Sequence, residues 1–141
     1  MISNALLQKS LIAKLKADTA LVALLSSSDV EIREQQWQGR AFTYPAVRVN
    51  LLQQLPMFIM DPCQWFSLTF SVFTLSEDRS SFEADNIASA VNDVLHESAW
   101  SEAIDGYRFH KCRSIGLNSA IRLSERIWRA EAFFNARLHT L

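Results

Sequence analysis

Glycine and proline are scarce, three of each in 141 residues. That excludes collagen-like and low-complexity character. The lack of Gly-rich turns also argues against a phosphate-cradling or dinucleotide-binding fold. Cysteine is scarcer still: Cys63 and Cys112 make neither a disulfide framework nor a zinc quartet. No apolar run approaches the ~20 residues of a membrane helix. The opening Met1-Ile2-Ser3-Asn4 lacks a basic targeting region, and Lys9, Lys14 and Lys16 interrupt the apolar residues after it. A cytoplasm-like compartment is therefore expected. An excess of one charge is missing too. The net charge is −1 and the pI is near 6.3, so the chain as a whole is not a basic nucleic-acid binder.

What is present is a normal globular balance, 49% hydrophobic against 21% charged, which excludes a disordered tail. The length suits a single domain, 1–141. The near-zero net charge hides a strong asymmetry. Residues 76–105 carry Arg79 against eight acidic groups, whereas residues 106–141 carry seven basic groups against Glu125 and Glu131. The two blocks either neutralise each other within the fold or form faces of opposite sign, which suit head-to-tail packing of identical subunits.

Along the chain, an amphipathic helix is expected from Ile2 to about Leu25, capped by Ser3 or Asn4. Asp18-Thr19 is a break point, with Thr19 capping a second piece over Ala20–Leu25. A short strand comes next at Val30–Glu34. Gln35–Thr43 is a loop holding Trp37, and Pro45 suits the start of a strand over Ala46–Gln54. Gln64–Leu75 alternates Phe66, Leu68, Phe70 and Val72 with Ser67, Thr69 and Ser71, the clearest strand in the chain. Ser80 and Glu83 have capping-box spacing ahead of a helix whose apolar face runs from Phe82 through Ile87, Val91, Val94 and Leu95. Tyr107–Leu117 and Glu125–Leu138 read as two closing strands. The order α-β-β-β-α-β-β predicts an α+β fold: a mostly antiparallel β-sheet with two helices packed on one face and an extended β-hairpin.

Chemistry is harder to find. HExxH, CxxC, GxSxG and P-loop patterns are absent. His96, His110 and His139 share no ligand spacing with the cysteines. A Cys63 or Cys112 nucleophile with a histidine partner is the enzyme alternative, but Cys112 in a strand is more simply a small apolar residue. Glu77, Asp78, Glu83 and Asp85 do not match a calcium loop and suit the start of a helix instead. No metal and no cofactor is expected. Arg108, Lys111, Arg113, Arg122, Arg126, Arg129 and Arg137 lack a recognition helix or an RNA-binding signature, which favours a solvated or salt-bridged sheet face. The most unusual segment is the hairpin tip, Leu55–Cys63, where Met57, Phe58, Ile59 and Met60 crowd a turn that is ordinarily polar. Either the tip folds back over its own core, or it buries against another subunit or a partner. Trp37, in a loop, is a further interface candidate. The charged pairs at Glu77, Asp78, Arg122, Arg126 and Arg129 complete the expected contact set.

The order of these segments resembles a known family. It shows in Leu15-Lys16-Ala17-Asp18-Thr19-Ala20-Leu21-Val22-Ala23-Leu24-Leu25 and in the strand start Tyr44-Pro45-Ala46-Val47. It continues through the strand-to-helix passage Phe70–Arg79, the run Ile87–Leu95 and the alternating closing strand. Together these look like the tail-completion, or tail-terminator, proteins of tailed bacteriophages. The resemblance implies a virion protein with no catalytic residues, assembled in the host cytoplasm and placed at the tail–neck junction. It implies a homo-oligomeric ring, commonly hexameric, that caps the tail tube, stops its polymerisation and offers a docking surface to the head or neck. Implied partners are the tube protein, a neck or head-completion protein and, in a contractile tail, the sheath protein. DNA would pass through the lumen without sequence-specific binding. A neck or head-completion role is the neighbouring alternative.

Overall fold

A computed structural model describes residues 2–25, 31–36, 43–57, 64–97, 103–104, 106–110 and 112–140. Helix α1 (Asn4–Lys16) begins at Ser3, whose hydroxyl accepts the Ala5 N–H at 3.2 Å. Leu7, Leu11 and Leu15 recur every fourth residue and are fully buried, so one stripe of the helix faces the core. Lys14 and Lys16 sit in its last turn, where the helix dipole favours cations. The expected break is real, but its cap differs. Asp18, not Thr19, caps α2 (Thr19–Ala23): its backbone is extended, and its carboxylate accepts the Leu21 N–H at 2.9 Å.

The sheet is built around a meander. β2 (Ala46–Met57), β3 (Trp65–Ser76) and β6 (Trp128–Thr140) run antiparallel in that spatial order. β1 (Ile32–Glu34) adds parallel to β2 at one side. The Tyr44–Pro45 peptide immediately before β2 is cis. On the other side, β4 (Tyr107–Phe109) and β5 (Arg113–Arg122) lie end to end along β6. The single strand expected at Tyr107–Leu117 is thus two. Phe109 faces Leu138 and Arg113 faces Asn135, so the edge takes one more residue than β6 between these points. That surplus interrupts the ladder as a bulge does.

Registers place Phe66, Leu68, Phe70 and Val72 opposite Leu138, Ala136, Phe134 and Ala132, all buried. The Phe70 and Phe134 rings stack at 5.2 Å near the sheet centre. α1 packs over β1 and β2, and α3 (Phe82–Leu95) packs over β3, β5 and β6, closing this face. Ala84 and Ala88 of α3 meet Ala130 of β6, a small-residue contact. The architecture is α+β as expected, with three helices among the described residues. The capping box is not formed. α3 starts after Ser81, Ser80 accepts only the Phe82 N–H, and the Glu83 carboxylate accepts the Ser76 hydroxyl at 2.7 Å instead. Phe82 is 73% exposed, so the buried stripe begins at Ala84.

Candidate assembly surfaces

Two turns meet at one end of the sheet. Ser76 ends β3 opposite Trp128 of β6, and Trp128 also faces Arg122 at the end of β5. The β3–α3 and β5–β6 turns therefore flank an open depression of about 590 Å³, lined by Glu77, Asp78, Arg122, Glu125, Arg126 and Trp128. Ser76 organises the acidic turn by accepting the Asp78 N–H at 3.2 Å. Arg122 organises the basic turn: its guanidinium donates to the Ser124 and Glu125 carbonyls at 3.2 and 2.8 Å. Four of the expected contact residues, Glu77, Asp78, Arg122 and Arg126, are thus brought together.

Arg129 stands apart from them. Its guanidinium lies 4.2 Å from the centre of the Phe73 ring and 3.4 Å from the Glu131 carboxylate, on the sheet face away from the helices. Glu131 also accepts the Ser71 hydroxyl at 2.8 Å. Met57 closes β2 opposite Trp65 and is half-buried. Trp37, Phe58, Ile59, Met60 and Cys63 lie outside the described residues.

The far end of the same face holds a cluster that the sequence did not announce. The rings of Trp65, His110 and His139 pack together with centres 4.7–4.8 Å apart, Trp65 and His110 stacked and His139 tilted against both. Trp65 and His139 are direct register partners, and His110, whose N–H donates to the Arg137 carbonyl at 2.8 Å, continues the β4 alternation on the side of Arg108, the register partner of His139. Trp65, His110, Arg113, Asn135 and Arg137 line a second open depression, of about 540 Å³. Asn135 is held from below by donating to the hydroxyls of Ser67 and Thr69 at 3.1 and 3.3 Å. Partial desolvation lowers the pKa of His110 from the ordinary histidine value, with lesser contributions from His139 and Arg108. His110 and Cys112, two positions apart within the single strand expected at Tyr107–Leu117, do not share a face: His110 is exposed and Cys112 is in the core. Strand parity puts Trp65 and His139 on the non-helical side, but only the register makes them neighbours.

Burial pushes the Cys112 thiol up to about 12, against a small opposing pull from Lys14. A thiol held that high is not a thiolate at neutral pH and is a poor nucleophile. Among the described residues, no three of His, Cys, Asp and Glu gather as a metal site. A second feature missed by sequence reasoning is a buried ion pair. Arg48 donates to the Glu31 carboxylate at 3.1 Å, both side chains being 3% exposed. Both residues lie in stretches expected as strands, Val30–Glu34 and Ala46–Gln54, and nothing in the sequence pairs them.

No family model and no curated protein matches the sequence. Among solved structures, the chain is similar to one from the virion of the native gene transfer agent (GTA) particle. The TM-score is 0.75 at 20% sequence identity, over 97% of this chain and 99% of that one. At that identity the likeness is one of fold.

Proposed function

We propose that this chain is a structural protein of a phage-like virion that forms a ring on the end of the tail tube. The observation that carries the reading is the near end-to-end fold match to a chain of the gene transfer agent virion, together with the tail-terminator resemblance of the sequence. In this reading the 1–141 chain acts as one domain, and the ring is a homo-hexamer. It ends tube polymerisation and presents its free side to a neck or head-completion protein, with the sheath protein as a further neighbour in a contractile tail. DNA crosses the lumen without base recognition. The ring is assembled in the host cytoplasm and resides at the tail–neck junction. No catalytic step and no cofactor is involved.

The charged depression at Glu77, Asp78, Arg122 and Arg126 is the proposed seat for a neighbouring virion protein. Arg129, Trp37 and the hairpin residues Met57, Phe58, Ile59 and Met60 are proposed as further contacts with another subunit or partner, separate from that depression. The test is the mass of the purified protein by light scattering over a concentration series, with negative-stain images of the largest species. About six times the 16.1 kDa subunit mass, imaged as closed annuli, is the expected result. A two-fold dimer that grows no further would overturn the ring.

A further inference from the structure

Among the described residues, the sheet ends in two open edges. β1 pairs β2 only at Val47–Val49, which leaves Asn50–Met57 with no strand on its outer side. At the other side β5 pairs β6, and no strand pairs β5 beyond that. Each open stretch carries apolar side chains about half exposed or more: Leu52 and Leu55 on β2, and Ile115, Leu117 and Ile121 on β5. Such edges invite another strand unless they are blunted. The blunting here is partial: a register shift at Leu51/Gln53 and Pro56 on β2, two shifts on β5, and charges at the ends of β5 only. We propose that β5 of one copy adds antiparallel to the open edge of β2 in the next copy, so that one sheet runs on through successive subunits. This rests on the ring reading and names the contact that would build the ring.

Three features favour this partner. The first is direction. β2, β3, β6 and β5 alternate, so β5 points opposite to β2. A copy rotated about an axis along the strands then brings β2 antiparallel to β5, and repeated rotation can close. The second is charge. Two β5 strands paired antiparallel along their whole length would set Arg113 of each opposite Arg122 of the other, and like charges directly opposed are destabilising. Asn50–Met57 carries no charge, so it offers β5 a partner without that penalty.

The third is stagger. The open stretch of β2 lies level with residues 133–139 of β6, whereas β5 lies level with 128–135. The centres differ by between four and five residues, roughly 15 Å at ~3.4 Å per residue. Closing a sheet requires tilted strands and a stagger. At a tilt of ~35–45°, four strand spacings of ~4.8 Å produce an offset of roughly 13–19 Å. The observed offset has that size.

The test uses one-sided variants of the full chain. Ile115→Lys with Ile121→Lys blocks β5, and Leu52→Lys with Leu55→Lys blocks β2. Each variant alone should fall to the 16.1 kDa subunit mass while its melting curve stays near that of the parent. An equimolar mixture should give twice that mass and stop there, because each variant keeps one good edge of opposite kind. If a Lys pair unfolds the chain, the corresponding Ser pairs carry the same test. A variant that dimerises alone, or both variants retaining the parent mass, would overturn the edge contact. A parent that is monomeric at every concentration would overturn it too. Rings that persist in both variants would remove this contact and leave the ring reading standing. Open chains that lengthen with concentration and vanish in both variants would leave the contact standing and remove the ring.

Discussion

At the scale of single residues, the buried Arg48–Glu31 pair and the ring cluster behave in opposite ways. Arg48 donates both to the Glu31 carboxylate and to the carbonyls of Glu31 and Val47, so the guanidinium ties β1 to β2 from within. Removing one partner of such a pair strands a buried charge. Glu31→Gln should therefore cost about 3 kcal/mol in urea unfolding; a loss below ~1 kcal/mol would mean that the other contacts of Arg48 satisfy it without the carboxylate. His110 is exposed and responds to pH instead. Its lowered pKa means that the unfolded chain takes up the proton first. Stability is then fully present above the ordinary histidine value and falls as pH drops from there through the lowered folded value. His110→Gln should flatten that part of the melting-temperature profile, and an unchanged slope would assign it to other groups. Neither feature was legible as a site in the sequence. Glu31 and Arg48 are seventeen positions apart, Glu31 just before β1 and Arg48 within β2, and His110 meets Trp65 only through the pairing of β3, β6 and β4, which residue order alone does not give.

At the scale of elements, legibility followed periodicity. β3 and β6 are long, strictly alternating and central, and both were plain from the sequence because burial on one face leaves no other phase. β5 was expected to end at Leu117 yet runs to Arg122, because its register shifts after Ser114 and Asn118 scramble the alternation. α3 was legible from its apolar stripe, but its start was not, because Glu83 turns to Ser76 across the sheet end rather than back to its own helix. One side chain couples these two less legible elements. Asp85, in the first turn of α3, accepts the Ala120 N–H of β5 at 2.7 Å, between the shifted registers. A charge-assisted bond of this kind contributes roughly 1.5–3 kcal/mol when partly buried. Asp85→Ala should loosen the far half of β5 before the rest of the sheet, seen as faster amide exchange at Ala120 and its neighbours than at β3. Uniform acceleration across the sheet would show that β5 is not held separately.

At the scale of the whole molecule, the charge asymmetry takes on a meaning that composition left open. Among the described residues, the acidic groups of the first block lie in the β3–α3 turn, on α3 and just after it, and the basic groups of the second lie on β4, β5, β6 and the β5–β6 turn. α3 packs on both strands, Glu97 lies 3.8 Å from Arg113, and the Glu77-Asp78 turn shares its depression with Arg122 and Arg126. Among the described residues, opposite charges are thus neighbours within one copy, and the depression is a mixed-sign end. Exposed pairs of this sort contribute little and are screened within about 10 Å at ~0.1 M salt. The open edges of the sheet, by contrast, carry mostly apolar and backbone groups, whose pairing salt does not weaken. Self-association should therefore change by less than about tenfold in dissociation constant between ~0.1 and ~1 M NaCl, measured by light scattering. A steeper loss would mean that the two blocks meet between copies, and that the charged depression holds the assembly together rather than receiving a different protein. Weak salt dependence combined with loss of assembly in the edge variants would divide the surface in two, with sheet edges for identical copies and the charged end for a partner.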